Sequence, residues 1–184
     1  MSKPLLILIS GPPCTGKTTL GKRIAEELHL PFVHKDGIKE LLFETLGWSD
    51  RAWSRRLGMA SYELLYYFME IQLRAGCSLI VESNFSSLST PKFLEFKKKY
   101  HYEAFQIQCV SNGEVLFERF QRRAESEERH PGHGDHLNYD EFQSVLLRGK
   151  GDVIEIGGIV YEVDTTDFGA IDYTKLIETI LLFG

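Results

Sequence analysis

Cysteine is scarce in this chain: among 184 residues there are three, Cys14, Cys77 and Cys109. They are odd in number, widely spaced and without a CxxC or Cys/His pairing, which argues against a disulfide framework or a zinc site and for a reducing compartment. Charge of one sign is also lacking. A formal net charge of −5 offers no general attraction to nucleic acid, so a polynucleotide is not the favoured partner, although a local basic groove stays allowed. No apolar run is long enough to span a bilayer, and the N-terminal one has a single flanking Lys3, weak for a signal peptide; the expectation is a cytoplasmic protein without a membrane partner. Repeats, low-complexity tracts and linkers are missing too. With 43% hydrophobic residues the chain can bury a sizeable core, so one domain over residues 1–184 is expected, as a monomer or homodimer.

What is present centres on GPPCTGKT, Gly11 to Thr18. The stretch satisfies G-x-x-x-x-G-K-[ST]. Before it, Leu5 to Ser10 reads as a buried strand. After it, Leu20, Ile24 and Leu28 recur among charged residues as one face of a helix over Lys17 to His29. A strand-loop-helix junction is the context that a phosphate-binding loop needs. Gly11 and Gly16 let the backbone approach a polyphosphate, Lys17 supplies a point charge and Thr18 a hydroxyl for Mg²⁺. Gly11, Cys14, Thr15, Gly16, Lys17, Thr18 and Thr19 are thus the expected nucleotide-binding set, at a helix N-terminus whose dipole favours an anion.

Further along, short apolar runs alternate with amphipathic ones, the pattern of βαβ units around a parallel sheet. A short strand, Phe32 to His34, precedes Asp36, which could cap a helix over Ile38 to Leu46. Trp53, Leu57, Ala60, Leu64, Phe68 and Ile71 keep helical spacing from Ala52 to Arg74, with most of the aromatics there read as core. Ser78 to Val81 forms a third strand delivering Glu82, Ser83 and Asn84. Thr90–Pro91 opens a helix with a cap followed by proline, its Lys97 to Lys99 run a solvated face. Ala104 to Val110 is the fourth strand, and Ser111 with Glu114 reads as a capping box for the next helix. A charged, histidine-rich segment to His136 leads to a helix over Tyr139 to Leu147. Asp152–Ile156 and Ile159–Val163 flank Gly157–Gly158 as a β-hairpin, and Asp172 caps a closing helix.

Ligands bind beyond the carboxyl ends of the strands in such sheets, so the strand tails should meet in one cleft. Those tails hold a phosphoryl-transfer inventory. Asp36 is the candidate general base or orienting group for an acceptor hydroxyl, with a plain helix cap as the rival. Glu82 ends an apolar strand as a Walker B acid does; it would hold Mg²⁺ with Thr18, directly or through water, or orient the acceptor. Asn84 and His133 are candidate substrate contacts. The stretch His130 to His136 has no H-E-x-x-H pattern and reads as a lid or substrate loop. Arg119, Arg122 and Arg123 share a helical face that could close over phosphates, and Arg129 follows in the loop. The rival is a surface patch paired with Glu125, Glu127 and Glu128.

GPPCTGKTTLGKRIAEEL, Asp36, LIVESN, ERFQRRAESEERHPGH and VDTT together resemble small P-loop kinases of the nucleoside-monophosphate-kinase-like group, in the branch of zeta-toxin-like, chloramphenicol-phosphotransferase-like and polynucleotide-kinase-like enzymes. The resemblance implies a three-layer α/β fold with a five-stranded parallel sheet in order 2-3-1-4-5 and helices on both faces. It implies ATP with Mg²⁺ as donor, Asp36 as the acceptor-activating acid, and Arg119, Arg122 and Arg129 near a lid over about residues 119–137. Thr165, in the Asp164 to Thr166 segment, would lie close to adenine. Position 82 departs from the aspartate of many relatives. The expected function is a kinase acting on a hydroxyl of a small molecule or nucleotide. GTP switches require N-K-x-D and D-x-x-G, which are absent; the remaining alternative is a nucleotide-binding regulatory or interaction protein with weak ATPase activity.

Overall fold

In a computed structural model, residues 3–126 and 129–184 are described. Five strands, β1 (Leu5–Ser10), β2 (Phe32–His34), β3 (Leu79–Glu82), β4 (Glu103–Val110) and β5 (Ile159–Asp164), form one sheet in the order β2-β3-β1-β4-β5, every pair parallel. Helices α1 (Lys17–Leu28), α2 (Lys35–Leu46), α3 (Arg51–Arg74), α4 (Thr90–Tyr100), α5 (Gly113–Ala124), α6 (Tyr139–Leu147) and α7 (Tyr173–Phe183) connect and cover them. This is the three-layer architecture expected.

The apolar run of β1 has its cause in burial on both faces. Leu6 and Leu8 point to one side, against Leu65, Met69 and Leu73 of α3 and Phe93 and Phe96 of α4. Leu5, Ile7 and Ile9 point to the other, against Leu20 and Ile24 of α1 and Leu176 and Ile180 of α7. Each such fully buried side chain contributes about 1.5–3 kcal/mol by leaving water. A smaller cluster, Leu116, Phe120 and Leu146, joins α5 to α6.

Several local expectations are corrected. The buried face of α3 is Ser54, Leu57, Ser61, Leu65, Met69 and Leu73, rotated from the aromatic spacing; Leu64 and Tyr67 are exposed. Two serines suit the packed face because they are small, and Ser61 returns its hydroxyl proton to the Leu57 carbonyl. Helix α2 begins three residues earlier than expected, capped by His34 Nδ1, which accepts from Gly37 N–H. Asp36 is therefore not a cap. Asn112, not Ser111, caps α5, accepting from Glu114 and Val115 N–H, while Thr90 is the first residue of α4 rather than its cap.

The β-hairpin does not form. Residues 152–156 cross the sheet face, where Gln106 Nε2 donates to the Ile154 carbonyl, Ile154 N–H donates back to Gln106 Oε1, and Gln108 donates to the Asp152 carbonyl. With its backbone groups bound by side chains and Ile154 and Ile156 buried in the core, this segment needs no ladder. Gly158, at φ 86°, then turns the chain into the sheet where a Cβ would collide with the Ala104 carbonyl, and β5 pairs parallel to β4 from Phe105↔Ile159 to Val110↔Asp164.

Candidate active site

The register aligns the strand ends, Ile9 and His34 both opposite Glu82, and a cleft of about 980 Å³ opens beyond them. Its floor is the Gly11–Thr18 loop. Gly11 has φ 143° and lies so close to the Cys109 carbonyl that no Cβ fits; Cys14 and Gly16 are also left-handed, at 65° and 72°. Thr15 is buried and donates to the Pro12 carbonyl at 2.9 Å. Lys17 is buried and folds its ammonium onto the same carbonyl at 2.7 Å. Thr18 Oγ1 donates to Glu82 Oε2 at 2.7 Å, so two oxygens from separate elements meet at the mouth of α1. A positive cradle beside a hydroxyl–carboxylate pair fits a triphosphate and a divalent cation. Thr19 and Cys14 line the cleft; burial pushes the Cys14 thiol up, against Arg123 and Lys17, which keeps it protonated.

The opposite wall belongs to α2 and α3. Asp36, one residue into α2, accepts from Lys35 Nζ at 3.1 Å through Oδ1 and from Arg129 Nη1 at 3.1 Å through Oδ2. Burial favours its protonated form, yet the charges of Lys35 and Arg129 outweigh it and hold the carboxyl well below the usual carboxylate range. His133 lies buried with Nε2 2.9 Å from Glu40 Oε1; burial lowers its pKa despite that bond. His130 pairs with Glu44 at 3.0 Å and stacks on Phe43. Glu40 and Glu44, one turn apart on α2, thus anchor the histidine loop. Asn84 is exposed at the cleft, its carbonyl accepting from Tyr62 OH.

Arginines form the third side. Arg119 donates to the carbonyls of Thr165 and Thr166, both at 2.8 Å, and lies 4.5 Å above the Phe168 ring. Thr165 itself is buried, its hydroxyl on the Val110 carbonyl; Phe168 is what this segment presents to the cleft. Arg123 pairs with Asp135 at 3.4 Å, and Arg129 binds Asp135 at 2.8 Å as well as Asp36. Arg122 is exposed and lines the cleft. Of the acids proposed as surface partners, Glu125 accepts from Tyr139, while Glu127 and Glu128 lie outside the described residues.

Four contributors escaped the sequence reading: Lys35, Lys39, Arg51 and Phe168. The signal for the lysines was their i, i+4 spacing directly after the second strand, on either side of Asp36. Arg51 opens α3 and forks onto Glu141 at 2.6 and 3.2 Å. Among the described residues no helix is long and apolar enough to cross a membrane.

Residues 6–145 match the family described as AAA domain. The chain is similar to a "putative kinase" from Chloroflexus aurantiacus J-10-fl, with 38% identity, all of both chains covered and a TM-score of 0.94. It also shares its fold with the APS kinase of Mycobacterium tuberculosis, solved with AMPPNP and APS (8% identity, 100% and 98% covered, TM-score 0.62). A sugar kinase from Janibacter sp. HTCC2649 shares it as well (16%, 99% and 94% covered, 0.58). None of the curated proteins matches the chain in sequence.

Proposed function

The chain belongs to the AAA-domain family, and we propose that it is a kinase that moves the γ-phosphoryl group of ATP to a hydroxyl of a small molecule or nucleotide. The observation that carries this reading is that Asp36, freed from capping by His34, shares one cleft with the phosphate-binding loop. Kinase names on a 38% identical relative that spans the chain support it. Gly11 to Thr19 hold the phosphates. Thr18 and Glu82 would hold Mg²⁺, which would supply charge neutralisation at the phosphates. Arg119 fixes the Thr165–Thr166 segment beside the base, and Arg122, Arg123 and Arg129 answer charge that develops on the transferred group.

In the step itself, the acceptor oxygen forms a bond to the γ-phosphorus while the bond from that phosphorus to the β-bridging oxygen breaks, and ADP leaves with the electron pair. The hydroxyl proton passes to Asp36 and on to solvent. A carboxylate held so acidic is a weak base, which suits a loose transition state in which the proton leaves late; the chief role of Asp36 is then to orient the hydroxyl. Asn84 and His133 border the acceptor. The chain works as one domain, with the described residues of 119–137 as its lid, within the branch of zeta-toxin-like, chloramphenicol-phosphotransferase-like and polynucleotide-kinase-like enzymes. Incubating the protein with ATP, Mg²⁺ and a broad panel of hydroxyl compounds should give a new phosphoester resonance by ³¹P NMR; a panel without any product would contradict the proposal.

A further inference from the structure

The charges on the acceptor wall are almost all answered from within. Lys35 and Arg129 meet at Asp36, Arg129 also holds Asp135, and Arg51 and Arg55 both reach Glu141. Lys39 is the exception. It lines the cleft with 5% of its surface exposed, and its ammonium has a single hydrogen-bond partner, Ser54 Oγ at 2.9 Å. Among the described residues no carboxylate lies within ion-pair distance of it. A buried ammonium has three donors, and leaving it without an anion is costly. Burial, with the charges of Lys35, Arg51 and Arg129, drags its pKa down to about 8 against the opposing charge of Asp36.

From this we infer that Lys39 is an anion-binding residue of the acceptor site, so that the acceptor is a small molecule carrying both a hydroxyl and an oxyanion, a phosphate monoester or a carboxylate. Lys39 follows Asp36 by three residues on α2, so the two side chains start about 5–6 Å apart on one helix face. A hydroxyl at Asp36 and an oxyanion at Lys39 therefore fit one compact molecule, such as a sugar or polyol phosphate or a hydroxy acid. The inference rests on the kinase reading for the hydroxyl, while the anion site stands on Lys39 and is tested without turnover.

The protein is first saturated with AMPPNP and Mg²⁺, so that the phosphate-binding loop cannot take the probe, and is then titrated calorimetrically with inorganic phosphate and, separately, acetate. One of the two should bind once per chain; which one does distinguishes a phosphate from a carboxylate source. Lys39→Met should weaken that binding by at least about 10-fold, the loss expected for a charge-assisted hydrogen bond, while Lys39→Arg retains most of it. Ser54→Ala, which removes the hydrogen bond that Lys39 donates but not its charge, should weaken it by less than Lys39→Met does. In the unmutated protein, acetate affinity should fall as pH rises through the Lys39 pKa. The inference is overturned if neither anion binds the AMPPNP complex, if Ser54→Ala weakens binding as much as Lys39→Met does, or if any acetate binding is insensitive to pH across that range. Because no phosphoryl transfer is read, failure here is distinct from failure of the kinase assay.

Discussion

Replacing Asp36 by Asn separates a catalytic carboxylate from a structural one. Asparagine keeps an oxygen that can accept a hydrogen bond but removes the charge that pairs with Lys35 and Arg129, each 3.1 Å away. The carboxylate is 38% exposed, but Lys35 and Arg129 are only 18% and 14% exposed and hold the carboxyl well below its usual range. The variant should therefore lose about 1–3 kcal/mol of stability at neutral pH, while Arg129 keeps Asp135 as a partner. The phosphate-binding loop makes no contact with Asp36 that the change would break, so affinity for ATP with Mg²⁺ should stay within about threefold, less than 1 kcal/mol. Transfer should suffer far more. Orienting the hydroxyl and taking its proton late contribute together about 10²–10⁴ in rate, so kcat should drop by that factor, equivalent to about 3–5 kcal/mol of barrier. Steady-state kinetics on the acceptor found by the panel, calorimetry with ATP and a thermal melt measure the three quantities. A kcat within about threefold of the parent, or ATP affinity lost in step with kcat, would refute the assignment.

Other perturbations probe the rest of the structure. Lys17→Met should weaken ATP binding by about 10- to 100-fold in calorimetry, since hydrogen bonds to charged groups are worth about 1.5–3 kcal/mol. Gly158→Ala, which forces a Cβ into the Ala104 carbonyl at φ 86°, should cost more than about 1 kcal/mol in urea unfolding without altering ATP affinity. The lowered pKa of Lys39 predicts a pH trend. Between pH 8 and the ordinary lysine value of 10.5 the unfolded chain holds a proton that the folded protein has released, so the contribution of this residue to stability rises with pH across that window. Lys39→Met should flatten that rise in urea midpoints measured at successive pH values.

How much of this was legible in the letters depended on whether a local rule met a long-range competitor. The phosphate-binding loop and β1 were legible because a strand covered on both faces must be apolar throughout, and the glycine pattern has few other uses. The sheet order followed from resemblance and is confirmed by the pairing. The packed face of α3 was misread because large aromatics outweighed Ser54 and Ser61, whose small size is what lets the helix approach its neighbours. The turn at Gly157–Gly158 is real, but the partner of residues 152–156 is a pair of glutamine side chains from β4, which no periodicity announces. Ser111 and Asn112 are both good caps, and only geometry chooses between them. Lys39 went unseen because a lysine on an amphipathic helix is ordinarily a surface residue; its burial appears only once α3 is laid against α2.

The central claim is that a single cleft hands the γ-phosphoryl group from ATP to an organic hydroxyl at Asp36. The most direct test is to run the reaction in ¹⁸O-enriched water with the acceptor present and to follow the γ-phosphorus by ³¹P NMR. The account predicts that this phosphorus appears as a phosphoester of the acceptor without solvent ¹⁸O. If it appears instead only as ¹⁸O-labelled inorganic phosphate, at a rate no acceptor changes, the cleft hydrolyses ATP slowly and the protein is a nucleotide-binding module rather than a kinase.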